Sequence, residues 1–108
     1  MTLKRFNPGL RDMVAAMYPN ALFADGFDDA IIGTHPYEQK VVYDSNKMIK
    51  ILMQDGMSEI DAMDYLSFNV FSAYVGEHTP MYVACFTVSE RRSFERVYEE
   101  LNKPKGDK

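Results

Sequence analysis

The stretch Asp25-Gly26-Phe27-Asp28-Asp29-Ala30-Ile31-Ile32-Gly33 constrains this chain more than any other, because nine residues hold a turn, a carboxylate cluster and the start of a strand. Asp25-Gly26 is a turn dipeptide, and Ala30-Ile31-Ile32 is a short apolar run closed by a second glycine, so three Asp side chains are expected at the mouth of a strand. Such a position suits chemistry. It equally suits carboxylates that accept backbone N–H bonds within a turn, and the sequence alone leaves both readings open.

The segments on either side fill out a small domain. Asn7-Pro8 suits a helix start, and Leu10, Met13, Val14 and Met17 form a helical apolar stripe that should lie on the sheet, with Arg11 and Asp12 outward. Tyr18-Pro19 ends it. Residues 30–34 and 40–43 read as two antiparallel strands around the loop His35-Pro36-Tyr37-Glu38-Gln39. Asp44-Ser45 then caps a short helix with apolar residues on several sides (Met48, Ile49, Ile51, Leu52, Met53), which must be largely buried. Asp55-Gly56 breaks it. Ser58 with the first-turn acids Glu59 and Asp61 opens a helix expected to run to about Val75, with Ala62, Tyr65, Leu66, Asn69, Val70 and Ala73 inward and Gly76 just past its end.

Thr79-Pro80 precedes a third strand over residues 81–88, and Ser89-Glu90 caps a last helix with the stripe Phe94, Val97, Tyr98, Leu101. Arg91 with Glu95 and Arg96 with Glu100 are expected as supporting i,i+4 pairs, though in the less favourable order. The element order α-β-β-α-α-β-α assembles as an α+β domain: a three-stranded, at least partly antiparallel sheet packed with about four helices. With 108 residues, one domain over 1–102 and a frayed tail at 103–108 are expected.

Charge distribution narrows the partners. Residues 22–80 carry ten acids against three bases, a net −7, whereas both ends are weakly basic. An acidic middle repels phosphate backbones, so direct nucleic-acid binding is disfavoured and a basic-faced protein is the natural partner. No segment approaches the ~18 apolar residues of a membrane span, and nothing at the N-terminus resembles a secretion signal. The single cysteine, Cys85, lies in an apolar run and reads as a small core residue in a reducing compartment. A soluble cytoplasmic protein without a membrane partner is expected.

Candidate sites follow from residue types out of place. Asp25, Asp28 and Asp29 could take a hard divalent cation, but the ligand pattern of a calcium loop is missing. Asn69 stands on an otherwise apolar stripe and needs partners if buried, from backbone near residues 24–30 or 76–79 or from an Asp side chain. Glu77-His78 and His35 would make a metal site only if their loops converged, and no metal is assigned. No serine sits in a nucleophile-elbow pattern, and no phosphate-binding loop or cofactor motif occurs. Tyr37 and Tyr74 are candidates for a partner surface, because seven tyrosines, seven phenylalanines and eight methionines exceed what a three-stranded core consumes.

Four separated stretches, Asp25 through Gly33, Val42-Tyr43-Asp44, Asn69-Val70 and Gly76-Glu77-His78-Thr79-Pro80, together resemble an uncharacterised family of small phage-encoded and bacterial proteins. The resemblance covers about residues 22–83 and departs at Ser72, where the family pattern has glycine. It implies a phage or prophage setting, hence a host-cell cytoplasm, and no reaction. The expected function is an accessory protein that binds and modulates, by inhibition, a host or defence protein through an acidic surface. The binding candidates are Asp25, Asp28, Asp29, Tyr37, Asn69, Tyr74 and Glu77. One alternative is a metal-assisted phosphoesterase or nucleotide-binding protein built on the Asp cluster with Asn69 and Glu77. Another is a self-associating structural protein.

Overall fold

The computed structural model describes residues 9–103, and in it the Asp25-Gly26 turn enters the sheet through a 3-10 turn at Asp28–Ala30. Gly26 has a φ of 92°, which a side chain would disfavour. Strand β1 spans Ile31–His35, so Ala30 belongs to the turn, where its methyl is fully buried. It pairs antiparallel with β2, Lys40–Asp44, and Ile32 is an extra residue between the paired Ile31 and Gly33. That bulge bends the edge strand as it leaves the carboxylate turn.

Asp44 ends β2 and starts helix α2, Ser45–Gln54, by accepting the Asn46 amide at 2.9 Å. Met48 and Leu52 are buried, Ile49 and Ile51 half-buried, and Met53 exposed. Past Asp55 the Gly56 N–H donates to Met53 at 3.0 Å and the Met57 N–H to Leu52 at 3.1 Å, with Gly56 at a φ of 111°. This pair of bonds is the left-handed stop that the glycine permits. Ser58 caps helix α3, Glu59–Leu66, accepting the Asp61 amide at 3.1 Å.

From here the structure departs from the sequence pattern in three places. The helix expected to reach Val75 is α-helical only to Leu66 and continues as a π-helix over Ser67–Phe71. A π turn bonds i to i+5 and rotates every later side chain relative to an α-helix. Ala62 and Leu66, ahead of this turn, are buried, and Val70 is half-buried, whereas Tyr65, Asn69 and Ala73 are exposed.

The third strand is shorter than expected. β3 covers Met81–Val83 and lies parallel to β2, with Asp44 opposite Val83 as the last pair. Beyond it β2 has already become α2, so side chains replace a strand partner: Asp44 Oδ1 accepts the Cys85 N–H at 3.4 Å and Asn46 Nδ2 donates to the Cys85 carbonyl at 3.3 Å. Cys85 is half-buried, not a core residue.

The third departure is at the ends. Helix α4, Val88–Leu101, is capped by Thr87 and not Ser89: Thr87 Oγ1 accepts the Glu90 N–H at 3.1 Å and Glu90 returns a carboxylate to the Thr87 N–H at 2.8 Å. No α4 residue is buried. Among the described residues Arg91–Glu95 and Arg96–Glu100 form no ion pairs, and Glu100 meets Lys103 at 3.6 Å instead. Helix α1, Leu10–Met17, follows Gly9, and of its stripe only Val14 is buried, while Leu10, Met13 and Met17 stand exposed. Asn7-Pro8 and residues 104–108 lie outside the described residues.

The result is an α+β fold in the expected element order, with a mixed three-stranded sheet whose central strand is β2. Its core gathers Ile31, Val41, Tyr43, Met48, Ala62 and Leu66. Tyr43 stacks on Tyr82 at 5.7 Å between centroids, and Tyr82 meets Phe71 at 5.0 Å. The Tyr43 hydroxyl accepts the Ala24 N–H at 2.8 Å, which ties the approach to the Asp turn to the central strand. Among the described residues no helix is long and apolar enough to cross a membrane.

Candidate functional site

The Asp cluster is closed by a residue that the sequence pattern places outward. Arg11 of α1 folds across Phe23, 4.7 Å from the ring centroid, and donates to Asp25 Oδ1 at 3.1 Å and to Asp28 Oδ1 at 3.2 Å. The hydrogen bond to Asp25, then that to Asp28, holds the guanidinium pKa above its usual value. Two of the three carboxylates thus converge on an internal cation. Asp29 makes no ion pair among the described residues and, with Asp28 and Asp55, borders an open depression of about 400 Å³. Among the described residues no group of three or more His, Cys, Asp or Glu side chains is placed to hold a metal ion.

This arrangement carries a prediction. Millimolar Mg²⁺, Mn²⁺ or Ca²⁺ is expected to move the melting transition no further than NaCl of equal ionic strength does, since a ligand specific for the native state must stabilise it. A cation-specific rise that disappears in D28N or D29N would reveal a bound ion.

Asn69 is not the buried clamp that its place in the stripe suggests. Its Nδ2 donates to the Tyr65 carbonyl at 3.0 Å, one turn back on its own helix, and the side chain is exposed because the π turn has rotated it out of the interface. It does line a groove of about 240 Å³ together with Asp25, Phe23, Tyr65, Val75 and Tyr82. Asn69 and Asp25 therefore share a rim without touching.

Three other candidates converge. Tyr37 from the hairpin tip and Tyr74 and Glu77 from the segment after the π turn line one open pocket of about 430 Å³ with Glu38, Lys40 and His78. Nδ1 of His78 lies 3.2 Å from the Glu38 carbonyl oxygen, and Lys40 Nζ pairs with Glu38 Oε1 at 3.0 Å, which draws the Glu38 carboxyl below its ordinary pKa. Thr79 organises the loop: its hydroxyl donates to the Gly76 carbonyl at 2.6 Å and accepts the Val75 N–H at 3.0 Å. His35 Nδ1 accepts the Glu38 N–H at 3.2 Å within the hairpin, so the two histidines serve separate loop contacts. Tyr37 and Tyr74 are 91% and 76% exposed, a pair of open rings bordering one pocket.

A further surface escapes sequence reasoning. The outer face of α3 presents Asp61 and Asp64, both exposed, with no basic residue on the helix and no ion pair to either among the described residues, while Glu59, also exposed, opens the helix on the side of α2 and lines a pocket with Lys50, Thr87 and Glu90. Beside them stand Ile60, 71% exposed, and Phe68, 79% exposed. The signal was present as three acids without a base in eight residues, but first-turn acids also read as partners of the helix dipole.

Comparison with family models matched none, and comparisons with curated proteins and with solved structures found no match.

Proposed function

We propose that this chain is a small phage-type accessory protein, not an enzyme, that binds a basic-faced host or defence protein through the outer face of α3 and inhibits it. The observation that carries this reading is the unpaired acids Asp61 and Asp64 beside exposed Ile60 and Phe68. Clustered charge of one sign accelerates and orients encounter with an opposite field, while the apolar and aromatic side chains supply the desolvated contacts that hold a complex together. Tyr37, Tyr74 and Glu77 offer a second patch from which the same partner could be gripped. The order of the four motifs supports the phage setting. The metal-assisted phosphoesterase alternative is weaker, because Asp25 and Asp28 are engaged by Arg11.

The test is capture from bacterial lysate on the immobilised full chain. One stoichiometric partner is expected, released as salt rises and the screening length falls from about 10 Å at 0.1 M to about 3 Å at 1 M. Recovery of nothing above background, or of a partner indifferent to salt, contradicts the proposal.

A further inference from the structure

Helix α4 is amphipathic and its apolar face is bare. Phe94, Val97, Tyr98 and Leu101 fall on one side of the helix, yet each is between 55% and 76% exposed. Phe86, just before the cap, packs on Phe94 with centroids 5.0 Å apart and lengthens the same stripe. A helix of this length is marginal on its own in water, and the Thr87 capping box secures only its start.

The charges along α4 say what should cover that face. Residues 88–94 carry Arg91 and Arg92 against Glu90, and residues 95–101 carry Glu95, Glu99 and Glu100 against Arg96. Within a single helix this order is unfavourable, because it adds positive charge near the positive end of the dipole and negative charge near the negative end. Arg ahead of Glu at i,i+4 is also the weaker arrangement. Beside an antiparallel copy the same order becomes favourable: the basic half of each helix lies along the acidic half of the other, and the dipoles oppose. A parallel copy would set like halves together, and a uniformly charged foreign helix would match only one half.

We infer that α4 is a self-association helix, and that two copies of this chain pair antiparallel along the stripe Phe94, Val97, Tyr98 and Leu101. The surface is distinct from the α3 face and uses none of its residues. Stable interfaces bury about 800 Å² per partner, more than one short stripe provides, so the dimer is weak and reversible.

Sedimentation equilibrium of the full chain over micromolar to millimolar concentrations tests this. A reversible monomer–dimer equilibrium is expected, and Val97→Glu should leave monomer throughout. R91E/R92E, which improves the charge order within the helix, should nevertheless raise the dimer dissociation constant by at least about tenfold. Adding E99R/E100R to that chain should restore pairing, a rescue that only the antiparallel arrangement gives. The inference is overturned if the wild-type chain stays monomeric, including the case in which α4 amides are protected from exchange by docking on the chain's own body. A dimer indifferent to Val97→Glu, or a loss in R91E/R92E without rescue, overturns it equally.

Discussion

Replacing Tyr43 with Ala is expected to be the most damaging single substitution in this domain, removing a large share of its folding free energy. Tyr43 is fully buried in the central strand, stacks on Tyr82, and receives the Ala24 N–H on its hydroxyl at 2.8 Å. Truncating a large buried aromatic side chain costs about 3–5 kcal/mol, against a total stability of roughly 5–15 kcal/mol for small domains. Tyr43→Phe separates the two contributions, since it keeps the ring and strands the Ala24 donor, at a cost of about 1–3 kcal/mol. A Tyr43→Phe protein as stable as wild type would show that the hydroxyl contributes nothing.

The same residue sets a pH dependence. Burial, opposed by the Ala24 hydrogen bond, pushes the Tyr43 phenol from 10.0 to about 12. The folded state favours the neutral phenol, so its stabilisation is fully present below pH 10 and is lost as pH rises towards 12. A shift of this size corresponds to a few kcal/mol. Urea midpoints should therefore fall through this window, and fall less steeply in Tyr43→Phe. Some slope should persist, because burial raises the Tyr82 phenol as well.

Asp44→Ala is expected to be the second most damaging change, at about 2–4 kcal/mol. Its carboxylate is buried and serves two elements at once, capping α2 through Asn46 and holding Cys85 after β3 ends. Loss of a cap costs about 0.5–2 kcal/mol, and a stranded buried donor about 1–3 kcal/mol. Asp44→Asn keeps an acceptor oxygen and should cost less. Equal losses in the two variants, measured by chemical denaturation, would assign the effect to charge and not to the hydrogen bonds.

The features legible in the sequence are those decided locally. The Asp44 cap, the Asp55-Gly56 stop, the hairpin around Tyr37 and the order of elements each follow from a few adjacent residues. The π turn at Ser67–Phe71 does not, because composition barely distinguishes two competing hydrogen-bond registers, and with it went the placement of Asn69. β3 stops early for a tertiary reason: its template strand ends at Asp44. Arg11 looked like a solvated helix residue because its partners Asp25 and Asp28 lie 14 and 17 residues away. Of the candidate site, Tyr37, Tyr74 and Glu77 could be named singly, but their common pocket depends on how the hairpin tip meets the loop after the π turn. The stripe of α4 was plain, whereas its exposure was not, since periodicity reveals an apolar face and not what covers it.

The proposal that an acidic α3 face recruits a basic protein is tested most directly by lysate capture with two charge-reversed chains side by side. D61K/D64K on α3 and E99K/E100K on α4 change net charge equally, from −4 to 0 by two reversals of two units each, and differ only in where the change is made. The α3 variant is expected to lose the partner while remaining folded, and the α4 variant to retain it. Retention of the partner by the α3 variant, or equal loss from both, would contradict the assignment of α3 as the binding face.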